Sequence, residues 1–71
     1  MIKSVIDLQP GKNAKILEFA NAKVADVFES MGLFVGQMVQ VIYKSGTVVI
    51  SVNHRMIAMS RVLAERIYVS L

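Results

Sequence analysis

The sequence predicts a small, mainly β barrel of about five short strands, with one helix after the first strand and a short late helical turn. Three observations carry this reading. Hydrophobicity alternates with period two from Gln37 to Met59, interrupted at Ser45-Gly46 and at Asn53-His54. One segment alone, Ala22 to Met31, has helical spacing between a capping asparagine and a glycine. And 71 residues make a single domain, whose small sheet can protect its edges by curling into a closed barrel.

The elements follow in order. Ser4 to Leu8 reads as one capped turn, with Ser4 and Asp7 three residues apart. Gln9-Pro10-Gly11 turns the chain, and Lys12 to Phe19 is a bulged strand with Ala14, Ile16, Leu17 and Phe19 as its apolar strand positions. In the helix, Val24, Val27, Phe28 and Met31 share a stripe, while Lys23, Asp26 and Glu29 take the other face. Asn21 is the N-cap, and Gly32 stands where a left-handed residue ends a helix. Phe34-Val35-Gly36 follows as a turn.

Two hairpins then set a register. A two-residue turn at Ser45-Gly46 puts Tyr43 opposite Val48, Val41 opposite Ile50 and Val39 opposite Val52, every inward pair apolar. Asn and His tolerate positive φ better than most residues, so Asn53-His54 makes the second turn. It puts Ile50 opposite Ile57 and Val48 opposite Met59. Ser60 caps a helical turn from Arg61 to Arg66, and Ile67-Tyr68-Val69 closes the chain as a strand.

Composition narrows the function. Hydrophobic residues are 55% and charged residues 18% of the chain. A domain this short buries only about 60% of the surface its unfolded chain exposes, so apolar side chains must remain outside. The longest unbroken apolar run, Met56 to Met59, has four residues, against the roughly 20 a membrane-spanning helix needs. No leader pattern opens the chain, because Ser4 and Asp7 interrupt its apolar start, and a cytoplasmic location is expected. Without cysteine there is no disulfide, thiolate nucleophile or cysteine zinc site. The net charge of +3 comes from residues 31–71, where Lys44, Arg55, Arg61 and Arg66 face Glu65 alone.

These residues, in this order and spacing, resemble a known family. Met31-Gly32-Leu33, Gly36, Val39 and Val41, with Ile57-Ala58-Met59 and then Ala64, Ile67 and Val69, are similar to the signature of the ferrous iron transport protein A (FeoA) family. Leu8, Pro10, Gly11 and Ala14 fit its opening, so the resemblance covers nearly the whole chain. It implies an SH3-like barrel without enzymatic activity, acting beside a membrane ferrous-iron transporter that carries a cytosolic GTP-binding domain. The same domain recurs in iron- and manganese-dependent repressors, but no helix-turn-helix precedes it here. The family is associated with iron, ion transport and transition metal ion binding. Two loops depart from its pattern, Ser45-Gly46 being short and Asn53-His54 standing where a glycine is usual.

Each candidate site has a bland reading beside it. His54 is the one histidine and reads as a turn residue, so neither metal nor cofactor is assigned. Asp26 and Glu29 sit on a solvated helix face beside Lys23. Gly32 and Gly36 lack the lysine and hydroxyl of a phosphate loop, and no serine sits on a nucleophile elbow. An enzyme is not expected. What remains is the outward face of the sheet: the same registers set Ile42 opposite Val49 and Val49 opposite Ala58, flanked by Met38 and Met56. This stripe, with Phe34, is the expected partner-binding surface, and Arg55 and Arg61, with Arg66, supply steering toward an acidic protein. The alternative is a small basic barrel that binds RNA or single-stranded nucleic acid, for which Phe34 and Tyr68 are the free aromatics. A homo-oligomer formed through the stripe is a third reading.

Overall fold

The computed structural model describes residues 3–70. Six strands, β1 (Lys3–Ser4), β2 (Asn13–Phe19), β3 (Met38–Lys44), β4 (Thr47–Val52), β5 (Arg55–Ser60) and β6 (Ile67–Ser70), form one antiparallel sheet in the order β1-β6-β2-β3-β4-β5. The fold is the expected small, mainly β, SH3-like one, with α1 (Ala22–Ser30) after β2 and the helical turn α2 (Arg61–Ala64) before β6. It has one strand more than expected, because Lys3 and Ser4 pair with Val69 and Tyr68. The expected closure does not occur: the hydrogen-bonded order ends at β5 and does not return to β1. With only two residues, β1 is too short to reach across. Instead α2 fills the gap, lying against β4, β5 and the 3-10 turn of Val5–Asp7, with Ala64 fully buried.

Local chemistry explains the ends of these elements. The Asp7 carboxylate accepts from the Ser4 N–H at 3.1 Å and the Ser4 hydroxyl at 3.3 Å, within a capping box between Ser4 and Asp7. Asn21 Oδ1 accepts from the Val24 N–H at 2.9 Å, and Gly32, at φ +85°, ends α1. Asn21→Ala should therefore cost about 1 kcal/mol, read as a lower urea midpoint with unchanged slope. Ser60 Oγ accepts from the Leu63 N–H at 3.2 Å, and the helical turn it starts stops at Ala64, earlier than its sequence suggests.

The core lies between the concave sheet face and these covers. Ile16, Val39, Val41, Val48, Ile50, Ile67 and Val69 line the sheet side, and Leu8, Phe28, Leu33 and Ala64 close it. Phe28 stacks on Phe19 with centroids 5.0 Å apart. Val27, read as part of the helix's core stripe, is instead 45% exposed. The helix packs on β2 at one side of the sheet rather than across it, so a narrow stripe led by Phe28 suffices to bury its face.

The two hairpins differ. At the second, Asn53 and His54 take φ of 50° and 65°, and Val52 pairs with Arg55, Ile50 with Ile57 and Val48 with Met59, as the sequence predicts. At the first, Val41 pairs with Ile50 as expected, but the register then slips by one: Tyr43 pairs with Val49 and Lys44 with Val48. Ile42 is the extra residue of a β-bulge. Because strand side chains alternate, that single slip exchanges two faces. Tyr43, expected inward, is 56% exposed. Lys44, expected outward, turns in, and its ammonium donates to the carbonyls of Ile6 and Leu8 at 2.9 Å each.

Candidate protein-docking surface

The bulge re-forms the outward face of β3, β4 and β5. Ile42 does not stand opposite Val49; Tyr43 does, and Val49 is opposite Ala58. The row across the three strands is thus Tyr43, half-buried Val49 and exposed Ala58, with the exposed Ile42 beside Tyr43. Towards the other end of the strands, Gln40, Ser51 and Met56 form a second row. Met56 is 63% exposed, and Met38 projects two residues before Gln40. The surface is apolar, carries two flexible methionines and one aromatic ring, and belongs to a rigid sheet. Such a patch suits contact with another protein more than capture of a small ion.

Phe34 is placed apart from that row. Its N–H donates to Gln37 Oε1 at 2.8 Å, while Gln37 Nε2 donates to the Gly32 carbonyl at 3.3 Å, so one glutamine side chain braces the loop. Gly36 N–H donates to Ile16 O at 2.8 Å and Ile16 N–H to Gln37 O at 2.9 Å, which holds the loop against β2. The loop that carries exposed Phe34 and Val35 is thus tied to Ile16 of β2. The loop leads directly into Met38, the first residue of β3.

The arginines also have internal tasks. Arg55 Nη2 donates to the Gly32 carbonyl at 3.2 Å and reaches that of Met31 at 3.5 Å, at the C-terminal end of α1, where carbonyls lack partners. The same guanidinium fills the space a Cβ at Gly32 would need. Arg61 Nη1 donates to the Ser45 carbonyl at 2.7 Å, tying α2 to the first hairpin turn. Both remain exposed, and both acceptors are neutral carbonyls. Tyr43 and Val35 are surface residues that the expected site omitted, whereas Ala58 belonged to the expected stripe. Ala58 was legible from the second register, whereas nothing in the alternation of β3 signals the bulge that exposes Tyr43.

Other features offer less. A depression of about 360 Å³ is lined by Lys3, Asp7, Leu8, Gln9, Lys12 and Asn13, a set without a nucleophile–base pair. Among the described residues no three His, Cys, Asp or Glu side chains gather as a metal site. No helix among them is long and apolar enough to cross a membrane.

The fold has clear counterparts. A crystal structure of an iron uptake regulatory protein (FeoA) superposes with a TM-score of 0.89 at 27% identity, covering 99% of this chain and 96% of that one. An FeoA-like protein from Clostridium acetobutylicum matches at TM-score 0.88 and 14% identity, over 99% of this chain and 86% of that one. A manganese-dependent transcriptional repressor matches at TM-score 0.87 and 16% identity, over 99% of this chain but 42% of the repressor. The last two likenesses speak for the fold alone. No curated protein sequence matches the chain. The family model described as the FeoA domain matches residues 3–71, and the chain therefore belongs to the FeoA domain family.

Proposed function

We propose that this protein serves ferrous-iron transport as a non-enzymatic accessory that acts by contact with another protein. The observation that carries the reading is the extent of the family match: the FeoA domain model matches residues 3–71. A structural neighbour of nearly the same length is named as an iron uptake regulatory protein, and another, from Clostridium thermocellum, as iron(II) transport protein A. The partner is a membrane ferrous-iron transporter with a cytosolic GTP-binding domain, met on its cytoplasmic side. The contact surface is the Tyr43–Val49–Ala58 row with Ile42, Met38 and Met56, and Phe34 forms a second point beyond Met38. Arg55 and Arg61 add electrostatic steering, which raises on-rate more than affinity.

The test is an amide NMR titration at physiological salt with the transporter of the same genome, and separately with a mixed single-stranded oligonucleotide. Shifts gathered on Ile42, Tyr43, Val49 and Ala58 with the transporter alone are the expected result. Tyr43→Ser should weaken that binding by roughly tenfold or more, as aromatic anchors do, with stability within about 1 kcal/mol because the ring is exposed. Salt-sensitive shifts with the oligonucleotide, at Tyr43 and the arginines, would replace the protein-docking reading by a nucleic-acid one.

A further inference from the structure

The last strand of the sheet order has an unused side. Val52 and Arg55 flank a two-residue turn whose central residues both have positive φ, so they form the hydrogen-bonded pair that closes such a hairpin. Hydrogen-bonded and non-bonded pairs alternate from there. Arg55, Ile57 and Met59 thus turn their N–H and C=O groups to β4, and Met56, Ala58 and Ser60 turn theirs away from it. Among the described residues, none of the backbone bonds made outside helices and strands involves Met56 or Ala58. Neither proline, bulge nor charged side chain interrupts β5 between Met56 and Ser60, so of the devices that guard an edge only the neighbouring α2 is present.

Charge decides what this edge is suited to pair with. A second copy added antiparallel, in the register that uses Met56, Ala58 and Ser60 together, would be centred on Ala58. It would bring Arg55 towards the partner's Arg61 at both ends, like charge against like. An extended segment with a carboxylate at each end meets the opposite condition. Its ends would lie by Arg55 and Arg61, which are six residues apart in the sequence, about 20 Å at strand rise. Both residues are exposed, and their guanidiniums reach the neutral Gly32 and Ser45 carbonyls, so each would turn from that bond to meet a carboxylate at the edge. Apolar residues at alternate positions of the segment would stand beside Met56 and Ala58 and prolong the Tyr43–Val49–Ala58 row into a fourth strand.

We propose that the free edge of β5 is a strand-addition site for an extended peptide segment, antiparallel to β5, acidic at both ends and apolar on its outer face. Backbone hydrogen bonds supply the affinity, and the two arginines select the charge of the ends. The mode of recognition stands apart from the iron-transport reading, since it asks only what chemistry this edge accepts and not whose segment supplies it.

The probe is the capped peptide Glu-Val-Thr-Val-Thr-Val-Glu, added to the labelled full chain and followed by amide shifts and hydrogen exchange. The expected result is saturable binding with slowed exchange at the Met56 and Ala58 amides. Replacing both Glu by Lys should weaken binding about tenfold at low salt, with a smaller difference as salt rises. A peptide N-methylated at its three Val residues, which loses its donors to the edge and sets methyl groups against it, should not bind. Ala58→Pro should also abolish binding, since its lost N–H points away from β4; should that variant not fold, the methylated peptide carries the same test on the unaltered protein. No saturable binding, equal binding of the Lys peptide at low salt, or shifts without slowed exchange at Met56 and Ala58 would each overturn the proposal. So would slowed exchange that grows with protein concentration alone, which would identify a second copy as the occupant.

Discussion

Phe28→Ala should remove a large share of the protein's stability at 25 °C, more than any other single truncation in α1. Phe28 is the largest side chain in the core with no solvent exposure, and it is the one fully buried residue of α1. Its ring stacks on Phe19, which lies at the end of β2 where that strand pairs with Ile67. Removing it takes away the aromatic contact and most of the apolar surface that holds the helix on the sheet, and leaves a cavity. Such truncations cost about 3–5 kcal/mol. At the usual stability per residue, a chain of 71 residues has roughly 4–10 kcal/mol in total. The helix cannot compensate, because nine residues are too few to be stable without packing. Urea unfolding followed by circular dichroism reads the effect, with Phe28→Leu as the milder companion. A loss below about 1 kcal/mol for the alanine variant would mean that the helix is held by something other than this ring.

Lys44→Met should destabilise by about 2 kcal/mol, although it places an apolar side chain in an apolar neighbourhood. The ammonium of Lys44 reaches two carbonyls, Ile6 and Leu8, on a segment 36 to 38 residues away in sequence. Methionine keeps much of the stem and removes both bonds, leaving the partly buried acceptors to find water. Half-exposure of the site and solvent screening hold the figure near the low end for charge-assisted bonds. The loss should be local as well as global: exchange at Ser4 to Leu8 should rise first, since that segment then rests on its apolar contacts and the Asp7 tie. Lys23→Met, on the exposed face of α1, should change stability by less than about 0.5 kcal/mol and serves as the control. Equal effects of the two substitutions would remove the cross-link from the account of how β3 holds the N-terminal turn.

The position of Lys44 also shows where reading from sequence succeeds and where it stops. The cap at Asn21, the stop at Gly32 and the Asn53-His54 turn are local matters. Each depends on residues within about four positions of one another, and each is where sequence puts it. The second hairpin follows because both φ values its turn needs are ones that asparagine and histidine tolerate. The first hairpin is different. Val41, Ile42 and Tyr43 are three apolar residues in a row, so either Ile42 or Tyr43 can face inward by pattern alone, and the sequence does not single out Ile42 as the extra residue. The slip is compensated far away: two carbonyls of the N-terminal turn receive Lys44, and the outer face receives Tyr43. Without those distant partners the unbulged register, with Tyr43 inward, is the better guess.

The candidate surface divides along the same line. That apolar residues outnumber the places inside the fold follows from composition and length alone, and so does the presence of an exposed apolar patch. Met38, Met56 and Val49 were identifiable as outward residues from period-two alternation. Which of them meet, however, depends on strand order and register. Phe34 is carried on a loop that the Gln37 brace and the bonds to Ile16 tie to β2. Arg55 and Arg61 become helix and turn anchors as well as surface charges because carbonyls without partners lie within their reach.

The class of fold, the order of its elements, the caps and one hairpin register were thus determined by the sequence on its own, because short-range sterics and periodicity specify them. The sixth strand, the open edge at β5 and the exchanged faces of Tyr43 and Lys44 were decided only in the tertiary structure. Each depends on backbone groups brought together from distant parts of the chain, and a local pattern carries no record of which distant donor will satisfy which acceptor.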